Sequence, residues 1–214
     1  MHYTNGILSA ANFNSLLGEQ EIRQAVAALL NESVESIAVC LLFSYINPSH
    51  ELMLAEIARD VMRSRGREIP VHLSCNLAPI SREQGRLNTV WLHAAAVDTG
   101  RKQYELIERA LHQRGYKNPL QVVLSHGGIA NIRYSRLHES AFSGPIGGLL
   151  GARFMAKELG IDNWICADMG GTSFDVGLIL GQEPLIEREV TITRRVFNMP
   201  TLMMETITAG MGLY

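Results

Sequence analysis

The sequence has no surplus of either charge. Across 214 residues, 19 Lys and Arg stand against 21 Asp and Glu, for a net charge of -2. Without a basic excess or a Lys/Arg cluster there is little to neutralise a phosphate backbone or an anionic lipid surface, so neither nucleic acid nor a membrane is an expected partner. Long apolar runs are missing as well. The longest, Ile37 to Phe43, falls far short of the ~20 residues that span a bilayer, and the N-terminus has no charged-then-apolar signal pattern. A cytoplasmic location follows as the expectation. Cysteine is scarce: Cys40, Cys75 and Cys166 show no CxxC spacing, which predicts small buried thiols and not disulfides or zinc ligands. His93, His112 and His138 lack the i,i+4 pairing of a helical metal site. Three catalytic signatures are also absent. There is no G-x-x-x-x-G-K-[ST], no G-x-G-x-x-G after a strand and no G-x-S-x-G, which removes the P-loop, the dinucleotide fingerprint and the nucleophile elbow.

What is present is a chain of ordinary composition, 47% hydrophobic, with helix and strand patterns in alternation. Glu19 to Asn31 carries Ile22, Val26, Leu29 and Leu30 at helical spacing, and Ser36 to Phe43 reads as a buried strand. Ser49 to Ser64 is a second amphipathic helix and Ile69 to Ser74 a second strand. Ser81 with Gln84 forms a capping-box pattern that opens a long helical stretch to His112, with a break expected near Gly100. Leu120 to Leu124 is a third strand, followed by the loop Ser125-His126-Gly127-Gly128. Ser143-Gly144-Pro145 starts a helix that Gly160 ends, and Trp164 to Ala167 is a fourth strand. This alternation predicts an α/β fold with a parallel sheet covered by helices. From Phe174 the pattern changes to consecutive strands, Phe174–Leu180 and Leu185–Thr193, so a domain boundary is expected near Asn163.

The segment Ala167 to Leu178, A-D-M-G-G-T-S-F-D-V-G-L, carries the clearest chemistry. Gly170 and Gly171 allow a tight turn whose N–H groups converge on an anion, while Thr172 and Ser173 add hydroxyls and Asp175 a second carboxylate. Asp168, at the strand end, is placed to hold Mg2+ through water or to orient an attacking water. A turn with Asp and Gly for local geometry alone is the competing reading. A second signal is the helix S-G-P-I-G-G-L-L-G-A-R from Ser143 to Arg153. Gly147, Gly148 and Gly151 together cost about 3 kcal/mol of helix propensity. Something must approach that face closely, and either a packed element or a ligand meets the requirement. Arg82, Glu83 and Arg86 read as a solvated helix start, and Met199, Met203 and Met204 as core filling.

These motifs resemble the ATP-dependent hydantoinase / 5-oxoprolinase / acetone carboxylase family. The resemblance rests on D-M-G-G-T-S-F-D-V-G-L preceded by S-G-P-I-G-G-L-L-G-A, and on three upstream blocks in the same order: Ala38 to Glu51, Leu73 to Glu83 and Ser125 to Gly128. F-D-V-G-L and I-T-A-G-M-G-L-Y lean toward the acetone carboxylase branch. The resemblance implies an actin-like (ribonuclease H-like) ATPase core, with residues 1–142 in the first subdomain, 143–160 as the interdomain connector helix, and 161–214 opening the second subdomain with its phosphate-2 hairpin. It implies ATP and Mg2+ as cofactors. Asp168 would be the catalytic and water-mediated metal residue, and nucleotide contacts would come from Gly144, Gly147, Gly148, Gly170, Gly171, Thr172, Ser173, Asp175, Gly210 and Gly212. It further implies a small carbonyl substrate, a ketone or cyclic amide activated by phosphorylation, and a second enzyme subunit, hydantoinase B-like, as partner. The family's first phosphate loop, another D-x-G-G-T hairpin, is not in this sequence. The chain is therefore expected to be a piece of a longer protein and inactive alone. A non-catalytic actin-like domain that binds nucleotide or a partner, and a sugar or acetate kinase-like phosphotransferase, are the alternatives. His126 stands where the family more often has asparagine, which favours loop shaping.

Overall fold

A computed structural model describes residues 18–170, 173–192 and 194–207. By internal packing the chain divides into two compact units, Met1–Ala94 and Ala95–Tyr214. The sequence-based boundaries at 142/143 and 160/161 both lie inside the second unit.

The first unit begins with α1, Glu19–Asn31, where the Glu21 carboxylate accepts the Gly18 N–H at 3.2 Å and so satisfies one donor of the chain entering the helix. β1 follows at Ile37–Val39, α2 at Ser49–Ser64 after the Pro48 turn, β2 at Val71–Leu73, and a single-turn α3 at Ser74–Leu77. β1 and β2 pair in parallel, Ile37 opposite Val71, as the helical crossover between them requires. Val26 and Leu30 of α1, Ala58 and Met62 of α2, and Val39 and Leu73 of the strands share one core. The strands are much shorter than their apolar runs. Beyond Val39 the chain leaves the sheet, because Leu41 N–H is taken by the Glu51 side chain at 2.8 Å and not by a neighbouring strand.

α4 runs unbroken from Glu83 to Gln113. The expected break at Gly100 does not occur, since a glycine inside a helix costs only about 1 kcal/mol. In the second unit β3 (Gln121–Val123) pairs antiparallel with β4 (Ile129–Asn131). This replaces the expected all-parallel arrangement with a hairpin around the loop 125–128, whose Gly127 adopts φ +86°. A 3-10 helix, Leu137–Ser140, precedes α5, Ser143–Leu159. α5 stops as expected: Gly160 takes the left-handed conformation and the Ile161 N–H returns to the Ala156 carbonyl at 2.9 Å.

β5 (Trp164–Met169) and β6 (Phe174–Leu180) then form an antiparallel hairpin. β7 (Glu183–Pro184) forms in the segment expected as the turn, and the run expected as one strand over Leu185–Thr193 is broken into β8 (Ile186–Glu187) and β9 (Val190–Ile192). These pair in turn with β6, β11 (Thr201–Leu202) and β10 (Arg195–Phe197). β12, Met204–Ile207, lies beside β6 on the side away from β5. Ile146 and Leu149 of α5, Ile179 of β6 and Leu202 form the core beneath this sheet, and Met199 is fully buried. Among the described residues no helix is long and apolar enough to cross a membrane.

Candidate functional site

The β5–β6 register sets Asp168 opposite Asp175 and Met169 opposite Phe174, and the turn is closed by Gly170 N–H donating to Ser173 C=O at 2.9 Å. The two aspartates, directly opposite, share one face of the hairpin, yet their surroundings differ. Asp168 is exposed, and no described residue hydrogen-bonds to its carboxylate. Asp175 is buried, and its two oxygens accept hydrogen bonds from Ser173 Oγ at 2.9 Å and Thr206 Oγ1 at 2.7 Å. Asp175 therefore ties the turn to β12, and the Ser173 hydroxyl hydrogen is committed to it. Gly171 and Thr172 lie outside the described residues, as do Gly210 and Gly212.

The glycines of α5 explain the cost they impose. At about 100° per residue, Gly144, Gly147, Gly148 and Gly151 fall within an arc of about 100°, opposite the buried Ile146 and Leu149. A Cβ placed on Gly144, Gly147 or Gly151 would meet nothing within 4 Å among the described residues, and one on Gly148 would lie 3.5 Å from Asp168 Oδ2. Packing by a described element does not account for the stripe. Helix backbone bare of side chains and a carboxylate without a hydrogen-bond partner among the described residues stand side by side, a combination that suits phosphate oxygens and a hydrated cation. Among the described residues no group of three His, Cys, Asp or Glu side chains is arranged to chelate a metal directly.

The loop 125–128 is braced to this hairpin through one segment. Ser125 C=O accepts the Leu202 N–H at 2.8 Å, and four residues further on Thr206 bonds to Asp175. Four residues of chain reach at most about 14 Å, so the loop and the β5–β6 hairpin are tied through the short segment that joins β11 to β12. Gly127 packs against Leu150 of α5, 3.5 Å from the nearest methyl to its Cβ position.

Sequence reasoning missed two polar clusters. In the first unit the fully buried Glu51 accepts Leu41 N–H, Ser74 Oγ at 2.6 Å and Cys75 N–H at 2.9 Å. Burial raises the pKa of its carboxyl, but these donors outweigh it and hold it below the usual range. Arg86, expected on a solvated face, is buried completely. Its guanidinium donates to Leu41 C=O and sits 5.2 Å from the Tyr45 ring centroid. Burial, with Glu51 beside it, pushes the Cys75 thiol up to about 12, so it is no thiolate nucleophile. All three cysteines are free and half-buried. The second cluster surrounds Glu139, a buried carboxyl in a segment with no motif at all, where burial raises the pKa and Arg136 and His126 oppose the rise.

The chain has the α/β fold of the actin-like class that the sequence resemblance implied. The hydantoinase/oxoprolinase family model matches residues 86–214, and the hydantoinase/oxoprolinase N-terminal region matches residues 4–62. The chain belongs to the hydantoinase/oxoprolinase family. It is 33% identical over 217 residues to the acetone carboxylase beta subunit of Xanthobacter autotrophicus, covering 100% of this chain and 30% of that protein. A nucleotide-free structure from work on ATP-dependent acetone carboxylation matches with a TM-score of 0.82 at 35% identity, covering 90% of this chain and 27% of the other. The ATP-dependent caprolactamase of Pseudomonas jessenii matches with a TM-score of 0.77 at 27% identity, covering 94% and 29%. The chain thus spans under a third of the length of each.

Proposed function

We propose that this chain supplies the phosphate-2 side of an ATP site in an enzyme that activates a small carbonyl compound, a ketone or cyclic amide, by phosphorylating its oxygen. The observation that carries this reading is the exposed carboxylate of Asp168, without a hydrogen-bond partner among the described residues and 3.5 Å from the Cβ position of Gly148 on a bare helix face. Phosphoryl transfer needs little covalent help from protein and much positioning and charge stabilisation. On this reading the Gly171 N–H, with Thr172, receives phosphate oxygens, Gly170 is held back from the expected phosphate contact because its N–H closes the turn on Ser173 C=O, and Gly144, Gly147 and Gly148 let the nucleotide approach the helix. Ser173 and Asp175 hold the turn in shape. Asp168 holds Mg2+ through water, and the cation when bound neutralises phosphate charge. Gly210 and Gly212 belong to the adenosine side. α5 is the connector between the two halves of the cleft, and a second subunit in the cytoplasm completes the enzyme. The relative named above as a beta subunit supports that last point.

Calorimetric titration of the chain with Mg-ATP is the test. Binding weakened at least tenfold in Asp168→Asn, with unfolding midpoint unchanged, is the expected result. Equal binding by Asp168→Asn and the parent chain would remove Asp168 from the site.

A further inference from the structure

The loop between β3 and β4 holds a histidine in an unusual seat. The His126 imidazole occupies the space a Cβ on Gly128 would need, with Cε1 only 2.5 Å and Nδ1 3.1 Å from that position. Folded back in this way, the ring brings Nε2 to 3.7 Å from Oε2 of the buried Glu139. The two are locked together by backbone: Ser125 donates both its N–H and its hydroxyl to the Glu139 carbonyl, each at 2.6 Å. Tyr134 Oη lies 3.4 Å from Glu139 Oε2, and Arg136 Nε lies 3.4 Å from Oε1. His126 borders an open cavity of about 760 Å³ with Leu124, Ile129 and Ala130 on its apolar side and Arg133 and Arg136 on its polar side. That volume suits a small organic ligand. A partly exposed imidazole backed by a buried carboxyl is the arrangement of a general base whose orientation is set by a second group.

We infer that His126 is the base that removes the α-proton of an enolisable ketone in this cavity, with Glu139 as its positioning residue. The inference rests on the carbonyl-activation reading above. In the step, the C–H bond breaks and its electron pair becomes the C=C bond. The carbonyl oxygen forms a bond to the γ-phosphorus as the P–O bond to ADP breaks. The proton stays on His126 as an imidazolium facing Glu139. The 3.7 Å separation is longer than a hydrogen bond and closes when the imidazolium forms, as catalytic contacts commonly do on substrate binding.

Proton removal can be read without phosphoryl transfer, by proton NMR of acetone methyl exchange in deuterium oxide with the full chain and no ATP. The chain is expected to accelerate exchange over buffer, His126→Ala to lose at least tenfold of that acceleration, and free imidazole to restore it. Gly128→Ala, which displaces the ring but keeps it, is expected to lose a comparable share. Glu139→Gln is expected to slow exchange several-fold in the parent chain and to add nothing in the His126→Ala background. No acceleration by the parent chain, or parental exchange in His126→Ala, overturns the inference. Because the assay contains no nucleotide, His126-dependent exchange with no Mg-ATP binding would overturn only the ATP reading. Mg-ATP binding without His126-dependent exchange would overturn only this one.

Discussion

Leu149 on α5 fills the space that a side chain on Gly177 would need. A Cβ on Gly177 would stand 2.6 Å from Leu149 Cδ1 and 3.0 Å from Cδ2, so β6 and α5 approach more closely than any pair of side chains would allow. Leu149 is buried with Ile146, Ile179 and Leu202, which fixes the height of α5 over the hairpin that carries Asp168.

Gly177→Ala is therefore expected to destabilise the chain by about 1–3 kcal/mol through overpacking, read from urea unfolding. Combined with Leu149→Ala, its cost should shrink, because the cavity left by the leucine accepts the new methyl. Additive costs in the double variant would show that the two residues do not compete for one space.

The bare face of α5 makes the opposite prediction. Gly147→Ala meets open space, and should stabilise the chain by about 1 kcal/mol through helix propensity. If the face receives a nucleotide, the same variant and Gly148→Ala should weaken Mg-ATP binding. A gain in stability with unchanged affinity would show that the glycines serve something else.

Asp175 predicts how the turn fails. Thr206→Val leaves Asp175 Oδ1 without its hydroxyl donor and should cost about 1–3 kcal/mol, as expected for a buried acceptor that loses its partner. Protection of the Gly170 amide against hydrogen exchange should fall with it, because that N–H closes the turn. Unchanged protection would mean that Asp175 does not hold the turn.

Acid should weaken the second unit through His138. This side chain is 4% exposed, and burial, helped by Arg136, pushes its pKa down to about 4 from 6.5. The unfolded chain then binds the proton more readily than the folded chain, so the stabilisation is complete above pH 6.5 and is lost as the pH falls toward 4. The loss amounts to about 3 kcal/mol at most. His138→Gln should flatten stability over that window, measured by denaturant unfolding at stepped pH.

Much of the fold was legible in local pattern. Helical spacing of Ile22, Val26 and Leu30 and the glycine stop at Gly160 marked α1 and the end of α5 to the residue, since periodicity and capping are properties of a few neighbouring positions. Two features were not legible for a related reason. Gly100 lies in a helix whose neighbours outvote it. Ile129 to Asn131 became a strand only because β3 was there to pair with it. Arg86 reads as a surface charge in any window of sequence, and its burial depends on Leu41 and Tyr45, more than 40 positions away.

The sequence by itself determined the class of the protein, because glycines and carboxylates at the ends of strands state their chemistry in short motifs. It could not say which aspartate of the hairpin faces outward, since Asp168 and Asp175 are equivalent as letters. The tertiary structure decided that: Asp175 is buried and held by Thr206 and Ser173, while Asp168 is exposed, its carboxylate 3.5 Å from the Cβ position of Gly148. The pairing of His126 with Glu139 belongs to the same category, because a buried carboxyl acquires its partner only when the 12 intervening positions of chain fold back to bring it there.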